Sequence, residues 1–345
     1  MAWLTGYVYR KQIIIEGSTA GIQTNYQMKL TVYKGTGTDS AGVVYLNNHC
    51  QDDFDDIRFT KSDGSTELDH WRESYVSATS AIFWIEFDSI PASPDSAVFY
   101  IYYSKADAIS GTTEGAALSD YADDIEPDHS LLDSYYHSSG SGVIVTSTDY
   151  SQSPTHSVKV TATVTAAASY YLMTSAQKAL PGLNKIRIRN WYYAVALAGA
   201  GCYHHIFAFS TAVSDSWVGP HVYASRDGGN VGWYDGAQND SGFAVSTGAW
   251  HLFELEIDFA ASNFDLYVDG VLRIDNGSFA GAMANNANVY LYGGGAYSGS
   301  GTTMQVHYYD NYFFRKYCSP EPTWGTWGTE ETPPPAGRSF GYIIG

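Results

Sequence analysis

Apolar and polar side chains alternate with a period of two along much of this chain. YVYRKQIIIEG (7–17), NYQMKLTVYKG (25–35), SAIFWIEFDSIP (80–91) and SAVFYIYYSKADA (96–108) combine that alternation with β-branched and aromatic residues. A period of two sends successive side chains to opposite faces of a strand, so each stretch reads as β with one face toward a core. DSIPASPDS (88–96), with its Pro and Ser residues, reads as the turn between the last two. Strands spaced by about ten residues, with no helical period, predict a β-sandwich.

The texture changes over 111–135, where Gly, Ser, Asp and Ala dominate, and the segment reads as a linker. Alternation returns in NKIRIRNWYYAVAL (184–197), YHHIFAFS (203–210), AWHLFELEIDF (249–259), NFDLYVDGVLRIDN (263–276) and MQVHYYDNYFFRKY (304–317). RDGG (226–229) and VDGV (268–271) place Asp-Gly between strands, a strong hairpin signal. The expected fold class is all-β: two tandem β-sandwich (jelly-roll) domains at 1–110 and 136–318, the linker between them, and a Pro/Gly-rich tail over 319–345. That tail, with its TWGTWG doublet, cannot form a core alone. It reads as a flexible end, or as an arm that docks on a neighbouring subunit through the apolar FGYIIG.

Composition sharpens this picture. With 29 Tyr and 34 Gly against 5 Met, the chain favours strands and turns. The formal net charge of -18 repels phosphate backbones and anionic lipid, so nucleic acid and membrane surfaces are not expected partners. The three cysteines, Cys50, Cys202 and Cys318, show no CxxC spacing, which argues against zinc and against a disulfide scaffold. No apolar run reaches the length of a membrane span. The opening MAWLTGYVYRKQIII lacks a basic segment followed by an apolar one, which leaves two expectations: a virion protein assembled inside its host, or a secreted protein already trimmed.

Three blocks, WLTGYVYRKQIII, DDIRFTKSDGSTELDHWRES and AIFWIEFDSIPASPDSAVFYIYYSKADA, stand in an order that resembles the domain-of-unknown-function family DUF2341 over about residues 1–108. The resemblance implies a β-sandwich found on secreted, surface and viral proteins, and no established activity. GAWHLFELEIDFAASNFDLYVDGVLRIDN and MQVHYYDNYFFRKY resemble the concanavalin-like (laminin-G) jelly roll over about 136–317. Lectins, adhesion modules and glycosidases share that fold, so it does not assign a function.

Within ELEIDF, alternation puts Glu254, Glu256 and Asp258 on one strand face. Laminarinase-like glycosidases of this fold carry their nucleophile and acid/base on one strand, and a retaining pair needs carboxyls about 5 to 5.5 Å apart. Here the order is Glu-x-Glu-x-Asp with no Glu following, which departs from that pattern and favours a solvated strand face. Asp310 stands where related jelly rolls place a calcium-binding Asp on the final strand, which makes a structural Ca2+ the one cofactor to consider. Trp191, Tyr193, Trp217, Tyr223, Trp233 and Tyr234 supply faces that could stack on sugar rings or fill a core. His204 and His205 are adjacent and so must face opposite ways, which prevents them from sharing one ion.

The acidic run DDFDDIRFTKSDGSTELDHWRES (52–74) reads as strand, turn and strand, with Ile57, Phe59, Leu68 and Trp71 toward the core and Asp56, Arg58 and Thr60 on the wet face. Calcium at Asp52, Asp53 and Asp55 is the alternative. These readings point to a non-enzymatic virion or cell-surface structural or adhesion protein. Its partners would be copies of itself or other virion or surface proteins, and a glycan. A laminarinase-like glycoside hydrolase and a secreted carbohydrate-binding module are the rivals.

Overall fold

A computed structural model describes residues 2–112, 134–137, 141–152, 155–164, 169–174, 178–180, 182–197, 202–212, 217–224, 230–298 and 303–334. It is all β among these residues and divides into two compact units. Met1–Thr113 with Pro320–Gly345 form the first, and Glu114–Ser319 form the second. In chain order the first unit contributes β1 (Tyr9–Glu16), β2 (Gln23–Tyr33), β3 (Val43–Tyr45), β4 (Arg58–Lys61), β5 (His70–Val76), β6 (Ser80–Ile90) and β7 (Ser96–Tyr103). The second holds β8 (Ser134–His137), β9 (Ser141–Ser147), β10 (Ser157–Val164), β11 (Ser169–Thr174), β12 (Lys178–Ala179), β13 (Lys185–Ala194), β14 (Cys202–Ser210) and β15 (Trp217–Ala224). It continues with β16 (Asn230–Tyr234), β17 (Gln238–Ala244), β18 (Trp250–Asp258), β19 (Asn263–Val268), β20 (Val271–Ser278), β21 (Asn288–Ser298) and β22 (Thr303–Lys316). The chain then returns to the first unit as β23 (Thr323–Trp327).

The first unit is a sandwich of two four-stranded sheets, β23-β1-β7-β4 and β3-β2-β6-β5. Ile13 and Ile15 of β1, Leu30 and Val32 of β2, Phe83, Ile85 and Phe87 of β6, and Phe99 and Ile101 of β7 are all buried. The alternation legible in the sequence therefore marks the core faces. In the acidic run, Ile57, Phe59, Leu68 and Trp71 are buried as expected. Asp56 and Thr60 depart from expectation, because both are fully buried. Backbone N–H groups of Gln51 and Ser104 donate to the Asp56 carboxylate at 3.0 and 2.7 Å, so it ties two loops together. Burial still pushes its pKa above the ordinary range. Asp52 pairs with Lys34, Asp55 with Arg72 at 2.5 Å, and Asp53 accepts the Asp55 N–H at 3.1 Å.

The C-terminal segment differs most from expectation. Over Thr323–Trp327 it is an edge strand of the first sandwich, not an arm reaching outward. Ile13 opposes Trp327 and Ile15 opposes Trp324, so three steps on β23 match two on β1. This bulge lets two tryptophans three apart share one face, where their rings stack at 6.0 Å and 11°. Gly325 sits where a Cβ would come within 2.7 Å of Glu16 Oε1 and 2.9 Å of Ile14 Cγ2, so the Trp-Gly pairing follows from close approach to β1. Past the strand, Glu331 exchanges both backbone hydrogen bonds with Arg10 and accepts its Nε–H at 2.8 Å. FGYIIG and the 113–133 part of the expected linker lie outside the described residues.

The second unit is a larger sandwich. One sheet runs β20-β19-β18-β13-β22-β10-β9; the other runs β17-β16-β15-β14-β21-β11-β8, with β12 on β21. Ile186 and Ile188, Phe207 and Phe209, Phe253, Leu255 and Ile257, and Phe264 and Leu266 belong to one continuous core between them. At the VDGV hairpin, Asp269 and Gly270 both have positive φ (52° and 74°), as a two-residue type I′ turn requires. RDGG lies outside the described residues.

Candidate functional site

The site begins with CYHHIFAFS, the sequence of β14. His204 stands opposite Ala224 of the core and His205 opposite Tyr223. Strand geometry sends these adjacent histidines to different faces of the sheet, and each finds another histidine there. Inside the sandwich, His204 Nδ1 lies 2.8 Å from His307 Nε2, and Tyr192 Oη lies 3.1 Å from His307 Nδ1. On the outer face, His205 Nδ1 lies 2.8 Å from His221 Nε2, with the rings stacked at 4.9 Å and 15°.

Aromatic residues gather around the outer pair. Trp217 stands 4.7 Å from His221 and 5.5 Å from His205, and Tyr234 stands 5.9 Å from His221. Tyr223 lies 6.0 Å from His221 and meets Tyr203 edge-on at 4.9 Å. Gly232 leaves room for this arrangement, because a Cβ there would come 2.8 Å from the Tyr223 ring. Tyr203, Tyr223 and both histidines are buried, while Trp217 and Tyr234 are only partly so and form the accessible rim.

Burial sets the charge state. Desolvation lowers the pKa of His205 to about 4 and holds that of His221 well below the ordinary histidine range, with His205 adding a repulsive contribution. The inner pair behaves alike, with His307 at about 3 and His204 well below the ordinary range. All four rings are therefore neutral near neutral pH. His205 Nε2 and His221 Nδ1 are buried with no hydrogen-bond partner among the described residues.

The six aromatics singled out in the sequence separate into three groups. Trp217, Tyr223 and Tyr234 meet at this face. Trp233 packs against the core instead. Trp191 and Tyr193 belong to β13 in the other sheet, where Tyr193 joins Tyr150 at 4.5 Å and Trp250 at 5.5 Å. Sequence reasoning missed Tyr203, His205 and His221 as members of the site. The one signal was the His-His doublet, which requires a partner on each face without saying where it lies.

The ELEID carboxylates share a face of β18, and that face is matched by cations on β13. Arg189 opposes Glu254, Arg187 opposes Glu256 and Lys185 opposes Asp258 in the register. Arg187 pairs with Glu256, and Lys185 with Asp258 at 3.0 Å. Desolvation raises the Asp258 pKa, but the Lys185 hydrogen bond and the N–H groups of Ala260 and Ala261 outweigh it and lower the pKa overall. Asp310 is fully buried, and its two oxygens accept backbone N–H groups from Gln152 at 2.6 Å and Asn311 at 2.8 Å. Among the described residues no group of three or more His, Cys, Asp or Glu side chains is arranged to hold a metal ion.

Comparison with known proteins finds low-identity likenesses. The "Cellulose induced protein, Cip1" is 13% identical with a TM-score of 0.40, over 56% of this chain and 95% of that one. An endo-beta-1,4-glucuronan lyase from the fungus Trichoderma reesei is 14% identical with a TM-score of 0.38, over 54% and 96%. The carbohydrate binding module CBM66 from Bacillus subtilis is 12% identical with a TM-score of 0.33, over 53% and 95%. No curated protein matches the chain. Residues 53–134 match the family model described as Domain of unknown function (DUF2341); the match takes in the second half of the first unit's N-terminal stretch, starting later and running further than the 1–108 expected from its sequence blocks.

Proposed function

We propose that the protein is a non-enzymatic surface component, of a virion or a cell, that binds a glycan on the outer face of β14 and β15 and assembles with copies of itself. The observation that carries the glycan reading is the rim of Trp217 and Tyr234 around a neutral, buried His205–His221 pair. Aromatic faces stack on the apolar side of a sugar ring. One N–H bridges the two imidazoles. Whichever ring supplies it, each neutral ring carries a single N–H, so one of the two remaining nitrogens donates and the other accepts. Both nitrogens lie buried beneath the rim, so a glycan would meet the faces of Trp217 and Tyr234 while the neutral histidine pair backs them and adds no charge to the site.

The test is a glycan array probed with the full chain. Alanine at Trp217 or at Tyr234 is expected to weaken the bound glycan by about tenfold, the scale of a lost stacking contact. A blank array, or alanine variants that change stability but not binding, would remove the basis of this reading.

Self-assembly is supported by β9, an edge strand in the described part of its sheet. Its sequence SGVIVTS has no charge and no Pro, its register with β10 is unbroken, and Val143 and Val145 are exposed. Such an edge is unguarded against strand pairing. Light scattering should show an oligomer that Val145→Lys dissociates; a monomeric parent protein would count against assembly. The glycosidase alternative meets the opposed cations of β13 at Glu254 and Glu256, and turnover of a glycan abolished by Glu256→Gln would restore it. A structural Ca2+ at Asp310 gains no support, because backbone donors already engage both carboxylate oxygens.

A further inference from the structure

The geometry points to a second ligand site, in the first unit, for a neutral hydroxylated molecule such as a pyranose. A cleft of about 530 Å³ opens beside β23, with Trp327 in its wall and Lys11, Asp39, Asn47 and Glu330 around it. This volume falls within the range of small-molecule sites, roughly 300–1,000 Å³. All of these residues belong to one compact unit, and none belongs to the aromatic face of the second. The inference therefore stands or falls separately from the function proposed above.

The wall is rigid. Trp324 stacks parallel to Trp327 but does not line the cleft, and the Trp327 Nε1–H donates to Ser40 O at 2.9 Å. The indole is thus held by its edge and by a parallel neighbour while it borders the cleft.

The polar groups are fixed in advance. Lys11 Nζ donates to Asp39 Oδ2 and to Tyr45 O, both at 2.7 Å, and Asp39 Oδ1 accepts the Tyr45 N–H at 2.8 Å. Glu330 Oε2 accepts the Tyr103 O–H at 2.7 Å, contacts His49 Nδ1 at 3.1 Å and takes the Asn47 Nδ2–H at 3.5 Å. That leaves Glu330 Oε1 and Asn47 Oδ1 without a hydrogen-bond partner among the described residues. Both are acceptors open to the solvent side of the cleft, so they are available to hydroxyl donors of a ligand.

Charge narrows the class. Lys11 is balanced by Asp39, and Glu330 leaves the cleft with a negative excess that repels carboxylates, sulfates and phosphates. A ligand with one apolar face for Trp327 and several hydroxyls for fixed acceptors satisfies each of these constraints.

The experiment uses the full chain carrying Trp217→Ala and Tyr234→Ala, so that the second unit's face is removed. This protein is titrated by calorimetry with neutral oligosaccharides that it retains on an array, and with sulfated or uronate-containing counterparts. The expected result is binding of at least one neutral sugar and none of the anionic ones. Trp327→Ala should weaken that binding by about tenfold or more, and Trp327→Phe should recover much of it. Asn47 has φ of 53°, so Asn47→Gly removes the acceptor without backbone strain and should weaken binding several-fold. Circular dichroism confirms that each variant is folded. Retention of no neutral sugar, preference for the anionic ones, or binding unchanged in both Trp327→Ala and Asn47→Gly would overturn the proposal.

Discussion

Acidification should unfold the second unit well before its carboxylates titrate. His204, His205, His221 and His307 are each at most 5% exposed, and burial lowers all four pKa values, to about 4 for His205 and about 3 for His307. In the unfolded chain each returns to about 6.5. The unfolded state then binds more protons than the folded one between these limits, so stability rises with pH there. It is complete above the unfolded value and is lost as pH falls through the folded values. Between about pH 7 and pH 5 His205 and His307 should each cost about 2 kcal/mol, about 4 kcal/mol together, and His204 and His221 act in the same direction. That is a large part of the stability of a typical domain, about 5–15 kcal/mol. The first unit has one comparable group, His70, lowered to about 4 by burial, and should lose only about 2 kcal/mol over the same range. Denaturant titrations at a series of pH values give the proton count from the slope of stability against pH, and calorimetry separates the two transitions. The expected slope for the second unit is about two protons or more near pH 5, at about 1.4 kcal/mol per pH unit for each. A slope below one proton, or imidazole resonances in the folded protein that titrate near 6.5, would refute the reasoning.

Other perturbations separate the contributions of single residues. Trp324→Ala should destabilise the first unit by about 2 kcal/mol, less than a fully buried tryptophan would, because the side chain is only partly buried; two-transition calorimetry should show the second unit unmoved. Removal of the chain from Pro320 onward should lower the first transition further, since it strips the edge from β1 and the partner from the buried Arg10 guanidinium. Asp310→Ala should cost about 2 kcal/mol in the second unit, as two backbone donors lose their acceptor, and added Ca2+ should not alter the melting temperature of the parent protein. Tyr192→Phe should cost about 1 kcal/mol by removing the hydroxyl at His307, measured by denaturant midpoint.

The sequence by itself determined the local alternation, and with it the strands and their core faces. ELEIDF shows why: Phe253, Leu255 and Ile257 had to point one way and their charged neighbours the other. It also determined that His204 and His205 diverge, and that Asp269-Gly270 turns a hairpin. Which strands are neighbours is a non-local property, and only the tertiary structure decided it. KIRIR and ELEID are 65 or more residues apart, and their charges cancel only because β13 lies antiparallel to β18 in one register. His205 found His221 across one strand pair, and His204 found His307 across the sandwich, because folding brought distant faces together. The TWGTWG doublet shows the same limit. Its composition suggested a loose end, yet a bulge and a close approach to β1 make it the edge of the first sandwich. Periodicity specifies a strand's own two faces, whereas pairing depends on the shape and hydrogen-bonding edge of a partner elsewhere in the chain.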